Sequence, residues 1–238
     1  MKTPPQSSSP SAAFTLIELL TVIAIIAILM GLLFPAINAV KENAKKTQAK
    51  SDVMQIVAAV KAYHTEYGKY PDISGGAPGA GAATGDLIVG DPSIPGVAGD
   101  NSILFNTLRA IPRAPNAEHI LNPRRTPFFE GKAASNPQDP RAGFSEGTPA
   151  SSGGGAGGAT PVQGAYYDPW GTQYGIIIDS NYDNVVEIDK VYGDFSSDNK
   201  PRTGTGSFSF GKDKKAGDKG DKTFRKGSSV SDDVISWQ

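Results

Sequence analysis

The sequence contains no cysteine and only two histidines, His64 and His119, among its 238 residues. Without cysteine there can be no disulfide bonds, no thiolate metal sites and no cysteine nucleophile. Two histidines cannot form a multi-histidine metal centre. The glycine tract at 153–158 also lacks the Lys-Ser/Thr pair of a phosphate-binding loop, and no other catalytic constellation is recognisable. We therefore expect a protein without enzymatic activity.

A strong net charge is also missing, since the formal net charge is −1. The chain as a whole therefore has no electrostatic bias toward nucleic acid or anionic lipid, and we expect no nucleic acid partner. A lysine-rich stretch at 212–226 has the composition of a solvated loop. Glycine and proline are abundant, with 28 and 18 of the 238 residues. Their combined share is well above the average of about 12%. This composition predicts that much of the chain is loop.

The N-terminal region contains one long apolar run. Residues 1–13 are polar and contain proline, as expected of a leader that is removed. Residues 14–40 carry a single ionisable side chain, Glu18. As a helix, this run would be about 40 Å long at 1.5 Å per residue, which exceeds the ~30 Å of bilayer hydrocarbon. The run therefore predicts a transmembrane helix.

Residues 41–71 keep helix-forming residues but become amphipathic. Charged residues alternate with apolar ones that recur at spacings of three and four, the pattern of one buried helical face. We predict one continuous helix from about Phe14 to about Tyr67, ended by Gly68 and Pro71. The residues predicted to pack on a soluble head are Val53, Ile56, Val57, Val60 and Tyr63.

Residues 72–165 are rich in glycine, proline and alanine. An apolar cluster at 103–111 is compatible with a short helix, but most of 74–165 has the composition of an extended surface insertion. Strand patterns return within 166–238, and we expect a small antiparallel sheet packed on the helix, an α+β fold. The predicted strands are Tyr174–Ile178, Val185–Val191 and Gly206–Phe210, with a hairpin turn at Asn181–Asn184.

The stretch Phe14-Thr15-Leu16-Ile17-Glu18-Leu19-Leu20, followed by apolar residues and Pro35, closely resembles the prepilin signal of type IV pilins and type II secretion pseudopilins. In that family, an inner-membrane aspartyl peptidase cuts before the aromatic residue and methylates the new N-terminus. The resemblance implies cleavage between Ala13 and Phe14 and N-methylation of Phe14. Ala13 is a departure, because the family usually has glycine at this position.

Glu18 and Pro35 are the predicted assembly residues within the apolar run. A carboxylate inside a membrane segment costs about 2.5 to 3.5 kcal/mol on insertion scales, so Glu18 requires a partner. After cleavage, the Phe14 amine of a neighbouring subunit could provide that partner and fix the axial register of parallel helices. Pro35 and Gly31 weaken the helix, and the resemblance implies local unwinding between them in a filament.

Two simpler interpretations of the apolar run compete with this one. An ordinary secretory signal is disfavoured, because its apolar region usually has 7 to 15 residues and avoids acids. A plain membrane anchor with Glu18 near its end is the other alternative.

The C-terminal region narrows the resemblance. Asp168-Pro169-Trp170-Gly171 and the ending Ser231–Trp237 resemble the major pseudopilin of type II secretion systems. In those proteins an acidic loop holds calcium, which implies Asp213, Asp232 and Asp233 as ligands here, with Ser231 and backbone carbonyls completing the shell. The alternative is a solvated charged loop, because lysines follow Asp213 where relatives commonly have glycine. Trp170 is predicted to be a core anchor.

The expected function is that of a structural subunit, a pseudopilin that polymerises into the periplasmic pseudopilus of a type II secretion system. The expected partners are further copies of the chain, the prepilin peptidase, an inner-membrane assembly platform and minor pseudopilins. The expected location is the bacterial inner membrane, crossed once, with the head outside the cytoplasm. One alternative is a surface type IV pilin for adhesion, twitching motility or DNA uptake. Another is a membrane-tethered binding module that uses the pilin signal only for export.

Overall fold

The computed structural model describes residues 15–72, 86–92, 97–147, 161–195, 200–218, 220–226 and 229–237. It contains two α-helices, α1 (Leu16–Tyr67) and α2 (Ser102–Leu108), and two short 3₁₀ helices, Ala117–His119 and Gly193–Phe195. The strands are β1 (Leu87–Val89), β2 (Gly143–Phe144), β3 (Tyr166–Tyr167), β4 (Gly175–Ile178), β5 (Thr205–Ser209), β6 (Arg225–Lys226), β7 (Ser229–Val230) and β8 (Val234–Ile235). The chain divides into two compact units, Met1–Ala44 and Lys45–Gln238, with the boundary inside α1.

In the N-terminal unit, α1 presents its apolar side chains to the outside. The large side chains from Leu16 to Phe34 are exposed. The helix contains a stretch long and apolar enough to cross a membrane, by length and composition. It is unbroken across positions 31–35. The unwinding expected there concerns the assembled filament and stays a prediction.

In the second unit, hereafter the head, the remainder of α1 buries one face. All five predicted packing residues are buried, which confirms the amphipathic pattern. The Tyr174 hydroxyl on the sheet side donates a hydrogen bond to Asp52 Oδ2 of α1 at 2.7 Å, and both side chains are buried. The helix ends at Tyr67, as predicted. Gly68 follows with φ +68°, and its N–H donates to the His64 carbonyl at 2.8 Å.

The main sheet of the head has the strand order β1-β4-β5-β8, and all of its pairs are antiparallel. Because side chains alternate across a strand, Ile176 and Ile178 join the core against α1, while Ile177 packs in a second core on the opposite face. The sheet is therefore buried on both faces. The predicted α+β class, a long helix with a small antiparallel sheet, is confirmed.

Two of the three predicted strands are confirmed, as β4 and β5, but the predicted strand Val185–Val191 is wrong. Both edges of β4 are already paired, to β1 and to β5, so the segment after Asn181–Asn184 has no edge to join. That turn therefore does not close a hairpin. The apolar residues of the segment, Val186, Ile188 and Val191, instead cover the second face of the sheet without strand pairing.

The interpretation of most of 74–165 as a surface insertion is wrong for much of its described part. Residues 87–89 form β1, a strand that was not predicted. The expected short helix is present as α2. The aromatic rings of Phe105, Phe129 and Phe144 are buried against Tyr166 in the core that contacts α1. The core residues of this region were missed because they are few and widely spaced among glycine, proline and alanine.

Candidate functional site

The N-terminal end of α1 is closed by a reciprocal capping box. The backbone N–H and the hydroxyl of Thr15 donate to Glu18 Oε2 at 2.8 Å and 2.7 Å. The Glu18 N–H donates back to Thr15 Oγ1 at 3.3 Å. A Thr-x-x-Glu spacing before an apolar run is the sequence signature of this cap. The prediction of Glu18 as an assembly residue overlooked this second role.

The other predicted residues of this region are only partly described. Ala13 and Phe14 lie outside the described residues, so the cleavage point and the pairing of the Phe14 amine with Glu18 stay predictions. Position 35 lies within α1, while the side chain of Pro35 lies outside the described residues. The structure therefore places Glu18 in the first turn of α1, and the sequence puts it four residues after the predicted mature N-terminus.

The predicted metal ligands Asp213, Asp232 and Asp233 do come together. Each offers a carboxylate oxygen, and these oxygens lie within 4.8 Å of one another. Asp213 lies on the loop after β5, and the other two lie immediately before β8. Gly211 makes the turn possible, because its φ is +66° and a Cβ there would overlap the backbone of Asp232. We refer to these three aspartates as the acidic cluster.

The backbone of the lysine-rich loop wraps around the acidic cluster. The N–H groups of Lys212 and Asp213 donate to Asp232 Oδ2 at 2.6 Å and 3.2 Å. The Lys215 N–H donates to Asp213 Oδ1 at 2.9 Å. The side chains of Lys212, Lys214 and Lys215 are exposed. The loop thus supplies backbone donors to the carboxylates while its ammonium groups face solvent.

Ser231 is a neighbour of the cluster, and its hydroxyl oxygen accepts the Asp233 N–H at 3.3 Å. This contact positions Ser231 beside the predicted ligands. Its direct role as a ligand stays a prediction.

Asp233 is the most buried member of the cluster, with 6% of its surface exposed. Burial raises its pKa to about 7; the charges of Asp232 and Asp213 add to the rise, and the Gly217 N–H and the Tyr192 hydroxyl oppose it. Asp233 Oδ2 accepts the Gly217 N–H at 2.8 Å, whereas Oδ1 is buried without a hydrogen-bond partner.

The acidic cluster fits a divalent cation. It brings three carboxylates together, one of them desolvated and carrying a buried oxygen without a hydrogen-bond partner. A positive ion would relieve the repulsion among the three charges, and calcium prefers oxygen ligands in flexible geometry. In the part of the chain that the structure describes, no other trio of His, Cys, Asp or Glu side chains has ligand atoms this close together.

Sequence reasoning missed Tyr192, whose hydroxyl lowers the pKa of Asp233. It lies about twenty residues from Asp213 and forty from Asp232, directly after the segment wrongly predicted to be a strand, so no spacing signal connects it with the cluster.

The pattern of the N-terminal region matches a known family model, the prokaryotic N-terminal methylation motif, over residues 8–34. The chain is 32% identical over 71 residues to type II secretion system core protein G of Pectobacterium carotovorum. The aligned stretch covers 30% of this chain and 46% of that protein. It is 37% identical over 65 residues to the core protein G of Pseudomonas aeruginosa, which covers 27% of this chain and 46% of that protein. The chain thus spans about half the length of the curated relatives it matches. No solved structure matches it.

The long apolar helix, the antiparallel head and the methylation motif agree with one another. The chain carries the prokaryotic N-terminal methylation motif, and it is similar to type II secretion system core protein G.

Proposed function

We propose that this chain is a structural subunit, a pseudopilin that polymerises into the periplasmic pseudopilus of a type II secretion system. The observation that carries the proposal is the position of Glu18. It is the only ionisable side chain in the membrane-length apolar run at 14–40, and it lies inside a matched methylation motif. The names of the two relatives support assignment to type II secretion. The protein performs no catalysis in this role.

Assembly would begin with removal of residues 1–13 by the prepilin peptidase. The new Phe14 amine is a cation about one helical turn, ~5 Å, from Glu18. In a bundle of parallel helices, the Glu18 carboxylate of one copy meets the Phe14 amine of the next. This pairing offsets the cost of about 2.5 to 3.5 kcal/mol for a carboxylate in a membrane and sets the axial register.

The remaining parts of the chain have supporting roles. The exposed apolar side chains of α1 hold the subunit in the inner membrane before assembly and pack against other copies afterwards. The inner-membrane assembly platform and minor pseudopilins would be its further partners. Pro35 removes a backbone hydrogen bond from α1, which permits local unwinding toward Gly31 in the filament. The head would form the periplasmic surface of the filament.

The capping box allows a sharp test of the register role, because glutamine can replace glutamate in such a cap. Glu18→Gln keeps an acceptor for Thr15 and loses the charge. Thr15→Ala weakens the cap and keeps the charge. We expect all variants to be cleaved, as measured by the mass of the membrane-extracted chain. We expect Glu18→Gln to lose filaments as completely as Glu18→Ala, while Thr15→Ala retains them.

Normal filaments from cleaved Glu18→Gln would show that Glu18 acts as a cap only, and would overturn the register role. A wild-type chain that stays monomeric in detergent after cleavage would favour a tethered binding module instead. Filaments that extend from the cell surface in wild-type cells would favour the surface pilin.

We also propose that the acidic cluster binds one calcium ion. Asp213, Asp232 and Asp233 would hold it, with Ser231 and backbone carbonyls completing the shell. The ion supplies positive charge that the cluster lacks and so stabilises the loop before β8. Binding to the folded state alone adds about 2.7 kcal/mol of stability at a calcium concentration of 100 Kd.

Thermal unfolding of the full chain in detergent tests this calcium proposal. We expect calcium to raise the Tm over that in chelator, and Asp213→Asn to reduce the shift. A Tm that is the same in calcium and in chelator would refute the site while leaving the filament proposal intact.

A further inference from the structure

Tyr192 occupies the centre of the second core of the head. Its side chain is fully buried, with 0% of its surface exposed. Its ring is fixed by edge and tilted contacts, and its backbone N–H donates to the Ile188 carbonyl at 2.8 Å. A tyrosine held on several sides has one orientation for its hydroxyl. The rings that contact it are Phe195, Phe208, Phe210 and Phe224.

Two of the rings around Tyr192 border the acidic cluster, because Phe210 directly precedes the Gly211 turn and the Phe224 carbonyl accepts the Ser231 N–H at 2.9 Å. The Tyr192 hydroxyl belongs to this region of the head. It is buried and makes no hydrogen bond of regular geometry in the described structure, and the same is true of Asp233 Oδ1. The two groups are nevertheless close enough that each affects the pKa of the other, with Asp194 and Asp232 as the further carboxylates that act on Tyr192. Two adjacent buried polar groups, one a donor and the other an acceptor, without partners elsewhere are each other's natural partners.

The two oxygens of Asp233 have different surroundings. Oδ2 accepts the Gly217 N–H at 2.8 Å, which ties it to the lysine-rich loop. Oδ1 is buried without a hydrogen-bond partner. A donor to Oδ1 as well would fix the plane of the carboxylate, and groups outside the ligand set commonly orient metal ligands in this way.

We propose that Tyr192 is a positioning residue of the cation site: its hydroxyl donates to Asp233 and aims that carboxylate at an ion shared with Asp213 and Asp232. This inference rests on the calcium proposal. Through Tyr192, occupation of the site is linked to the aromatic core behind the sheet. If Tyr192 positions Asp233, changes in this core alter the affinity for the cation. If Tyr192 only packs, they alter the stability of the head alone.

The test is calcium titration of the full-length Tyr192→Phe chain in detergent, by calorimetry and by thermal shift. The variant keeps the ring and loses only the hydroxyl. Loss of a group that orients a ligand typically weakens metal binding 10- to 100-fold, so we expect the calcium Kd to rise about that much. We expect the Tm in chelator to stay within a few degrees of wild type, because the packed ring remains.

Tyr174→Phe is the matched control, because it removes another buried hydroxyl, one that donates to Asp52 instead. It should lower the Tm equally with and without calcium and leave the Kd unchanged. In an Asp233→Asn background, Tyr192→Phe should have no further effect on the Kd, since the two residues act together.

A wild-type calcium Kd in Tyr192→Phe would overturn the positioning role, and so would the absence of calcium binding in the wild-type chain. If Tyr192→Phe does not fold, the calcium titration is carried out with Phe210→Leu instead. This variant perturbs the ring contacts while keeping the hydroxyl, and it should weaken calcium binding if Tyr192 must be held rigidly. Filament formation, scored separately, reports on the proposed function and not on this inference.

Discussion

Replacing Asp168 by asparagine should change how the stability of the head depends on pH. Asp168 is fully buried at the turn before β4. Its Oδ1 accepts the N–H groups of Trp170 and Thr172, each at 2.9 Å, and its Oδ2 accepts the Ser209 hydroxyl at 2.6 Å. Burial is the largest influence and raises the pKa of Asp168 to about 6, although these hydrogen bonds oppose it.

The direction in which stability changes with pH follows from the folded pKa of Asp168, which lies above the unfolded value near 3.8. The folded state binds the Asp168 proton more tightly, so its contribution to stability is complete below pH ~3.8 and is lost as the pH rises through about 6. The difference between a folded pKa of about 6 and an unfolded value near 3.8 is worth on the order of 3 kcal/mol. Asp168→Asn keeps an acceptor for Trp170 and Thr172 but cannot ionise.

The assay is urea unfolding of the detergent-solubilised chain at several pH values between 3.5 and 7. The difference in unfolding free energy, wild type minus Asp168→Asn, should fall by on the order of 3 kcal/mol across this range. Parallel curves for the two proteins would refute the reasoning, because Asp168 would then have the same pKa folded and unfolded.

Other predictions concern the packing of the head. Tyr174→Phe should cost about 1 to 3 kcal/mol in unfolding free energy, because buried Asp52 loses its donor; a loss under ~0.5 kcal/mol would contradict the importance of that bond. Gly175→Ala should destabilise the head markedly, since a methyl group there would overlap the Phe208 ring on β5, and an unchanged Tm would show that the ring is free to move. Gly211→Ala should both lower the Tm and reduce the calcium-induced shift, because φ +66° strains alanine and its methyl group would displace Asp232; a full calcium shift in this variant would contradict the link between this turn and the acidic cluster.

The parts of the fold that the sequence predicted are those with strong local periodicity. The apolar stripe of α1 and its end at Gly68 follow from helix geometry and glycine conformation, and both were predicted. The strands β4 and β5 follow from short strand patterns bounded by turn-forming residues. Trp170 was predicted to be a core residue and is buried against the helix.

The parts that failed depend on contacts distant in sequence. The segment Val185–Val191 has a strand pattern, but whether it pairs depends on β1, which takes the neighbouring edge of β4 from nearly ninety residues away. Phe105 and Phe144 are separated by a long stretch rich in proline and alanine, so nothing local showed that their rings meet. The effect of Tyr192 on the pKa of Asp233 has the same kind of origin, because tertiary packing alone brings the two residues near each other.

The most direct test of the central claim is the identity of the mature N-terminus. The full chain would be produced together with a prepilin peptidase, extracted from membranes, and its N-terminal peptide analysed by mass spectrometry. The account predicts that the mature chain begins at Phe14 and carries one N-methyl group, which places the amine one turn before Glu18. A mature chain that begins at any other residue would contradict the pairing of that amine with Glu18 and the filament proposal built on it.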